Sequence, residues 1–74
     1  MDEIYAKYEN ILKLLKEYID ETNIEYNFLL EILITRYELT LLKYKMYEDN
    51  RYIIILTEIE IIIRWYITEC SLSY

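Results

Sequence analysis

Carboxylates are the most abundant groups in this 74-residue chain that could do chemistry. The chain has 14 acidic residues and no histidine. Metal sites in helical bundles combine glutamates with a Glu-x-x-His pair, which this sequence lacks. Only Glu58, and to a lesser degree Glu25, come close to apolar positions in the pattern of the sequence. The sequence therefore predicts no metal site, no bound cofactor and no catalytic acid.

Few other side chains could act as nucleophiles. Cys70 is the single cysteine, and Ser71 and Ser73 lie near the C-terminus without a basic partner. Without histidine or glycine there is no Ser-His-Asp triad, no Cys-His pair and no glycine-rich phosphate loop. A single cysteine also excludes an internal disulfide, so Cys70 is either free or paired with another chain. We expect no enzyme activity.

The charge of the chain limits the classes of partner. The formal net charge is −6, with eight lysines and arginines. Nucleic acids attract basic surfaces, so direct binding to DNA or RNA is not expected. The first ten residues, MDEIYAKYEN, lack the basic and apolar regions of a signal peptide. Glu58, Glu60 and Arg64 interrupt the most apolar segment, so we expect no membrane span and a cytoplasmic protein.

The composition is biased toward a few residue types. The chain contains 14 isoleucines, 10 tyrosines and 11 glutamates, but no valine or glutamine. This bias resembles that of small proteins from archaeal viruses and plasmids, and a viral origin would imply the cytoplasm of a host cell. Glycine and proline are both absent. Tight β-hairpin turns favour glycine at positive φ, so an all-β fold is disfavoured.

The spacing of apolar residues predicts an all-α domain: an antiparallel bundle of two or three helices with coiled-coil-like packing. The helices are predicted near residues 2–21, 24–47 and 51–70, with Asn23 as the N-cap of the second. Residues 2–47 could instead form one helix with a stutter. A turn is predicted at YEDN, residues 47–50, where Asp49 or Asn50 would cap the third helix.

The third helix contains the segment RYIIILTEIEIII. Strict alternation of apolar and polar residues, which a strand would show, holds only around its two glutamates. Steps of four and three fit better, and they run from Tyr52 to Cys70 through Leu56, Ile59, Ile63 and Tyr66. We therefore predict a helix. Glu60 and Arg64 are predicted to form an i,i+4 ion pair.

The second helix is predicted to have two apolar faces rather than one. One face carries Tyr26, Leu30, Leu33, Tyr37, Leu41 and Tyr44, and the opposite face carries Phe28, Ile32, Thr35, Leu39, Leu42 and Met46. A single small chain cannot cover both, and large exposed apolar patches mark interaction sites. The predicted dimer or partner interface comprises Phe28, Ile32, Leu39, Leu42, Met46, Ile54, Ile61 and Trp65.

Two functions fit these patterns. The first is a small acidic protein-interaction module, homodimeric through its extra apolar face, that binds or modulates another protein. Its acidic surface could occupy a basic face of that partner. The alternative is a structural subunit that packs repeatedly on itself through the same faces.

Overall fold

The chain folds into three α-helices. The computed structural model describes residues 3–21 and 27–72, with side chains up to Cys70. Helix α1 spans Glu3–Glu21, α2 spans Phe28–Tyr47 and α3 spans Arg51–Leu72, and no strand occurs among the described residues. The predicted all-α class is confirmed, and the segment RYIIILTEIEIII is helical throughout. The helices form a rod with Cα extents of 41 × 17 × 16 Å.

Asn27 sets the start of α2. Its backbone is extended, with φ −127° and ψ 114°. Its Oδ1 accepts hydrogen bonds from the backbone N–H groups of Leu29 at 2.9 Å and Leu30 at 3.3 Å. An unbroken helix over 24–47, or over 2–47, is therefore wrong, because the helix begins after this cap. The predicted cap at Asn23 lies outside the described residues.

The predicted turn between α2 and α3 is confirmed, and it forms without glycine. Glu48 adopts the left-handed conformation, with φ 53° and ψ 33°, and its N–H donates to the Tyr44 carbonyl oxygen at 2.7 Å. Asp49 then caps α3, because its Oδ1 accepts from the Arg51 backbone N–H at 2.9 Å. The Arg51 guanidinium also binds this carboxylate and holds the pKa of Asp49 below its ordinary value.

One stripe of each helix forms the core. Helix α1 contributes two buried side chains, α2 contributes Leu30, Tyr37 and Leu41, and α3 contributes the largest apolar set. The core cluster comprises Tyr8, Leu15, Leu30, Tyr37, Leu41, Leu56, Ile59, Ile63 and Ile67. Ile67 is fully buried although it stands outside the predicted heptad of α3. The buried stripe of α3 is thus wider than the sequence pattern indicated.

Tyr37 joins α2 to α1 from inside this core. It is fully buried, and its hydroxyl donates to the Tyr8 carbonyl oxygen at 2.9 Å. The hydroxyl oxygen of Tyr8 lies 3.3 Å from Thr57 Oγ1 on α3. Burial, with smaller effects from Glu60 and Tyr8, raises the pKa of Tyr37 above its ordinary value of 10. These contacts bring all three helices together at one level of the rod.

Replacing Glu48 should stabilise the fold. A Cβ atom in the left-handed region costs about 1 kcal/mol, and glycine avoids that cost. We expect Glu48→Gly to raise the free energy of unfolding by about 1 kcal/mol in urea titrations. Glu48→Ala is the control, since it removes the charge and keeps the Cβ atom. Equal stabilisation by both variants would contradict the conformational explanation.

Tyr37 should make the fold sensitive to alkali. Below pH 10 the phenol is protonated in both states, so the folded state keeps its full stability. Above pH 10 only the unfolded state loses the proton, so the free energy of unfolding should fall by up to about 1.4 kcal/mol per pH unit. Tyr37→Phe should have a free energy of unfolding about 1 kcal/mol lower than the wild type at pH 7, because the variant lacks the hydrogen bond to Tyr8.

The same variant should also show a shallower decline above pH 10. Urea titrations between pH 7 and 11.5 measure both effects in parallel for the two proteins. The raised pKa of Tyr5, which has the same sign, remains in both of them. Identical pH dependence of the two proteins would rule out Tyr37 as the source.

Candidate interaction surface

The described part of the chain exposes more large apolar side chains than it buries. Fifteen large hydrophobic residues are exposed, and ten are buried. Three of the exposed ones lie on α1 and twelve on α2 and α3. Scattered exposed hydrophobic residues are normal in a soluble protein, but concentration on two helices is the pattern of an interaction surface.

Five of these side chains form one line along α2, which we call the outer stripe of α2. They are Phe28, Ile32, Leu39, Leu42 and Met46, and they are between 40% and 67% exposed. They lie across the helix from the buried residues Leu30, Tyr37, Leu41 and Tyr44, at the positions that the sequence assigned to the interface. Their role as an interface stays a prediction.

Contacts on the flanks of α2 keep this stripe turned outward. On the α1 side, Lys16 Nζ lies 3.2 Å from Glu38 Oε1, and Lys45 Nζ lies 5.2 Å from the centre of the Tyr5 ring. On the α3 side, the rings of Tyr47 and Tyr52 stack at 6.3 Å. The side of α2 between these flanks is exposed in the single chain.

A second line of apolar side chains runs along α3, and we call it the outer stripe of α3. It consists of Ile54, Ile61 and Trp65, each 61% exposed, opposite the buried Leu56 and Ile63. The two outer stripes point away from the core on different helices. The eight predicted interface residues thus lie on two different helices, and their role as an interface stays a prediction.

Two exposed isoleucines were missing from the predicted interface. Ile55 is 42% exposed and Ile62 is 47% exposed. They lie seven residues apart on α3, on the side of the helix that carries Ile59. The sequence pattern placed Ile59 in the core stripe, and Ile59 is buried. Their seven-residue spacing was the available signal, and it was masked by the run of isoleucines.

The charged residues near these stripes lie at the surface. Arg64 Nε donates to Glu60 Oε2 at 3.0 Å, which confirms the predicted i,i+4 pair. Glu58 is exposed, and Arg51 pairs with Asp49. Glu25 and Ser73 lie outside the described residues. No cluster of three or more potential metal ligands occurs among the residues that the structure describes.

A cleft of about 320 Å³ runs between α1 and α2. It is lined by Tyr5, Glu9, Leu12, Glu38, Leu39, Leu41 and Leu42. Two of these leucines belong to the outer stripe of α2, and the Glu38 carboxylate is engaged by Lys16. The lining offers apolar side chains, the carboxylates of Glu9 and Glu38, and the phenol of Tyr5. Its chemistry suits packing against another apolar side chain.

Two further observations describe the surface. Cys70 is a free thiol and is half-buried. None of the three described helices combines the length and the low charge that crossing a bilayer requires.

Comparison of the chain with protein-family models, with curated proteins and with solved structures finds no match.

Proposed function

We propose that this chain is a small acidic helical protein-interaction module, homodimeric through the outer stripe of α2, that works by binding a partner protein rather than by catalysis. The observation that carries the proposal is the outer stripe itself. Five large apolar side chains lie in a row and on average are about half exposed in the single chain. Covering them with a second copy removes this apolar area from water and satisfies both copies at once.

The expected strength of the dimer follows from this area. Full burial of such a side chain is worth about 1.5–3 kcal/mol, so burying the exposed half contributes about 1 kcal/mol. Five side chains from each copy give about 10 kcal/mol, against an association cost of about 4–15 kcal/mol. The stripe alone therefore supports a weak dimer, and neighbouring polar contacts decide its affinity.

The outer stripe of α3 remains available to a partner when the α2 stripe is covered. Trp65 is the residue type most enriched at the energetic centres of interfaces. The net charge of −6 favours a basic partner surface, because opposite charge speeds association and suppresses wrong partners. The expected partner surface therefore has an apolar pocket surrounded by lysine or arginine.

The alternative function, a self-packing structural subunit, is favoured by the presence of outer stripes on two different helices. A stripe that is not shared with the two-fold interface can dock on a different surface of the next copy. Contacts of that head-to-tail kind continue into rings or filaments. Growth beyond the dimer is therefore the property that separates the two functions.

Sedimentation tests the dimer. We expect the weight-average mass to rise from 9.3 kDa toward twice that value between about 5 and 500 μM. Leu39→Glu, at the centre of the stripe, should keep the mass at the monomer value because it places two carboxylates face to face. Leu14→Glu is the matched control, since Leu14 is 47% exposed on α1. Circular dichroism verifies that both variants stay helical. A wild-type mass fixed at 9.3 kDa would refute the proposal.

A second variant separates the module from the structural subunit. Ile61→Lys places a charge in the outer stripe of α3, at a position that is 61% exposed, and should leave folding and the dimer unchanged. If the chain is an interaction module, wild type and variant both stop at the dimer in light scattering. Assemblies that grow with concentration in the wild type, and stop at the dimer in the variant, would show that the structural subunit is the correct function and the interaction module is not.

A further inference from the structure

We propose that the second copy docks parallel and in register, with α2 against α2, and that ion pairs along the edges of the outer stripe fix this orientation. The inference deepens the proposed function and rests on it. Residues Phe28, Ile32, Thr35, Leu39, Leu42 and Met46 follow one another at steps of four and three, which is the seam of a two-stranded coiled coil. All six are exposed.

Both edges of this seam are charged, and the two edges have opposite signs. Glu31 and Glu38 stand immediately before Ile32 and Leu39. Arg36 and Lys43 stand one residue after the seam positions Thr35 and Leu42, on the other edge. One edge of the seam is therefore acidic and the opposite edge is basic. In coiled coils these flanking positions form the ion pairs that choose the partner and its orientation.

These charges are available to a second copy. All four residues are exposed. Within residues 3–21 and 27–70, neither Glu31 nor the basic pair has an ion-pair partner, and Glu38 contacts only Lys16, at 3.2 Å. The Lys16–Glu38 contact is half exposed on both sides and leaves room for a second cation at the carboxylate. Within the described residues, only Glu38 of these four side chains has an ion-pair partner, Lys16.

The two possible orientations differ in the sign of their edge contacts. In a parallel pair, a residue of the acidic edge meets the residue of the basic edge that lies five positions later in the other copy. Glu31 then meets Arg36 and Glu38 meets Lys43, and the two-fold axis repeats both contacts to give four attractive pairs. In an antiparallel pair, like edges meet, so glutamate faces glutamate and arginine faces lysine. The charges therefore select the parallel arrangement.

The acidic edge ends near the C-terminus of α2, where α1 contacts it. The next position on the acidic edge is Lys45, whose ammonium lies 5.2 Å from the centre of the Tyr5 ring on α1. Its counterpart five residues later would be Asn50, which carries no charge. Helix α1 also contacts the acidic edge at Glu38 and shares the cleft with Leu39 and Leu42, so the proposed copy packs on the seam directly beside α1.

Charge reversal tests the ion pairs. The acidic-edge variant Glu31→Lys/Glu38→Lys and the basic-edge variant Arg36→Glu/Lys43→Glu each turn all four contacts repulsive. We expect the Kd of either homodimer to rise tenfold or more in sedimentation, and an equimolar mixture to form a heterodimer as tight as the wild-type dimer. Double variants that dimerise as tightly as the wild type would overturn the inference and leave the proposed dimer standing.

Cysteine cross-linking tests the direction, in a Cys70→Ser background. Phe28 and Met46 lie at opposite ends of the seam, about 27 Å apart along the helix, whereas a disulfide needs Cα atoms within about 7 Å. If the copies are parallel, Phe28→Cys and Met46→Cys each oxidise to a dimer on their own. If cross-links form only when the two variants are mixed, the copies are antiparallel and the inference is wrong. Absence of both the cross-link and a dimer mass would remove the proposed function as well.

Discussion

The hydroxyl of Tyr37 donates to the Tyr8 carbonyl oxygen at 2.9 Å and fixes the rotation of α2 about its own axis. That rotation needs fixing because α2 is apolar on two opposite sides, and burial of hydrophobic area alone favours neither strongly. A buried phenol requires a hydrogen-bond partner, and α1 provides one only when Tyr37 points inward. Once this side is inside, the opposite stripe, from Phe28 to Met46, has to be outside.

The two ends of the α2–α3 hairpin hold its register. At one end, Asn27 Nδ2 donates to the hydroxyl of Tyr66 at 2.6 Å while its Oδ1 caps α2. At the other end, the rings of Tyr47 and Tyr52 stack across the turn. Because each end is tied by side chains, the turn tolerates a left-handed Glu48 where glycine would ordinarily stand. Tyr47, Tyr52 and Tyr66 therefore tie the two helices of the hairpin together.

Periodicity predicted the helices and the two faces of α2, because the apolar steps of four and three are local in the sequence. It misplaced the start of α2, since the capping function of Asn27 depends on a backbone conformation that apolar spacing does not encode. It also missed Ile55, Ile62 and the burial of Ile67, because a helix made largely of isoleucine has no clear polar boundary. Contacts between distant residues, such as Tyr37 with Tyr8, required the folded arrangement itself.

The two sides of α2 differ in how precisely they can define a neighbour. The inner side contains Tyr37, whose hydroxyl donates to the Tyr8 carbonyl oxygen on α1 and so favours one arrangement of the two helices. The outer stripe consists mainly of aliphatic side chains, with Phe28 and Met46 at its ends, and such a surface can pack in several registers. In the proposed dimer, the orientation on that side comes from the charged edges, where Glu31 and Arg36 lie five residues apart with opposite charge.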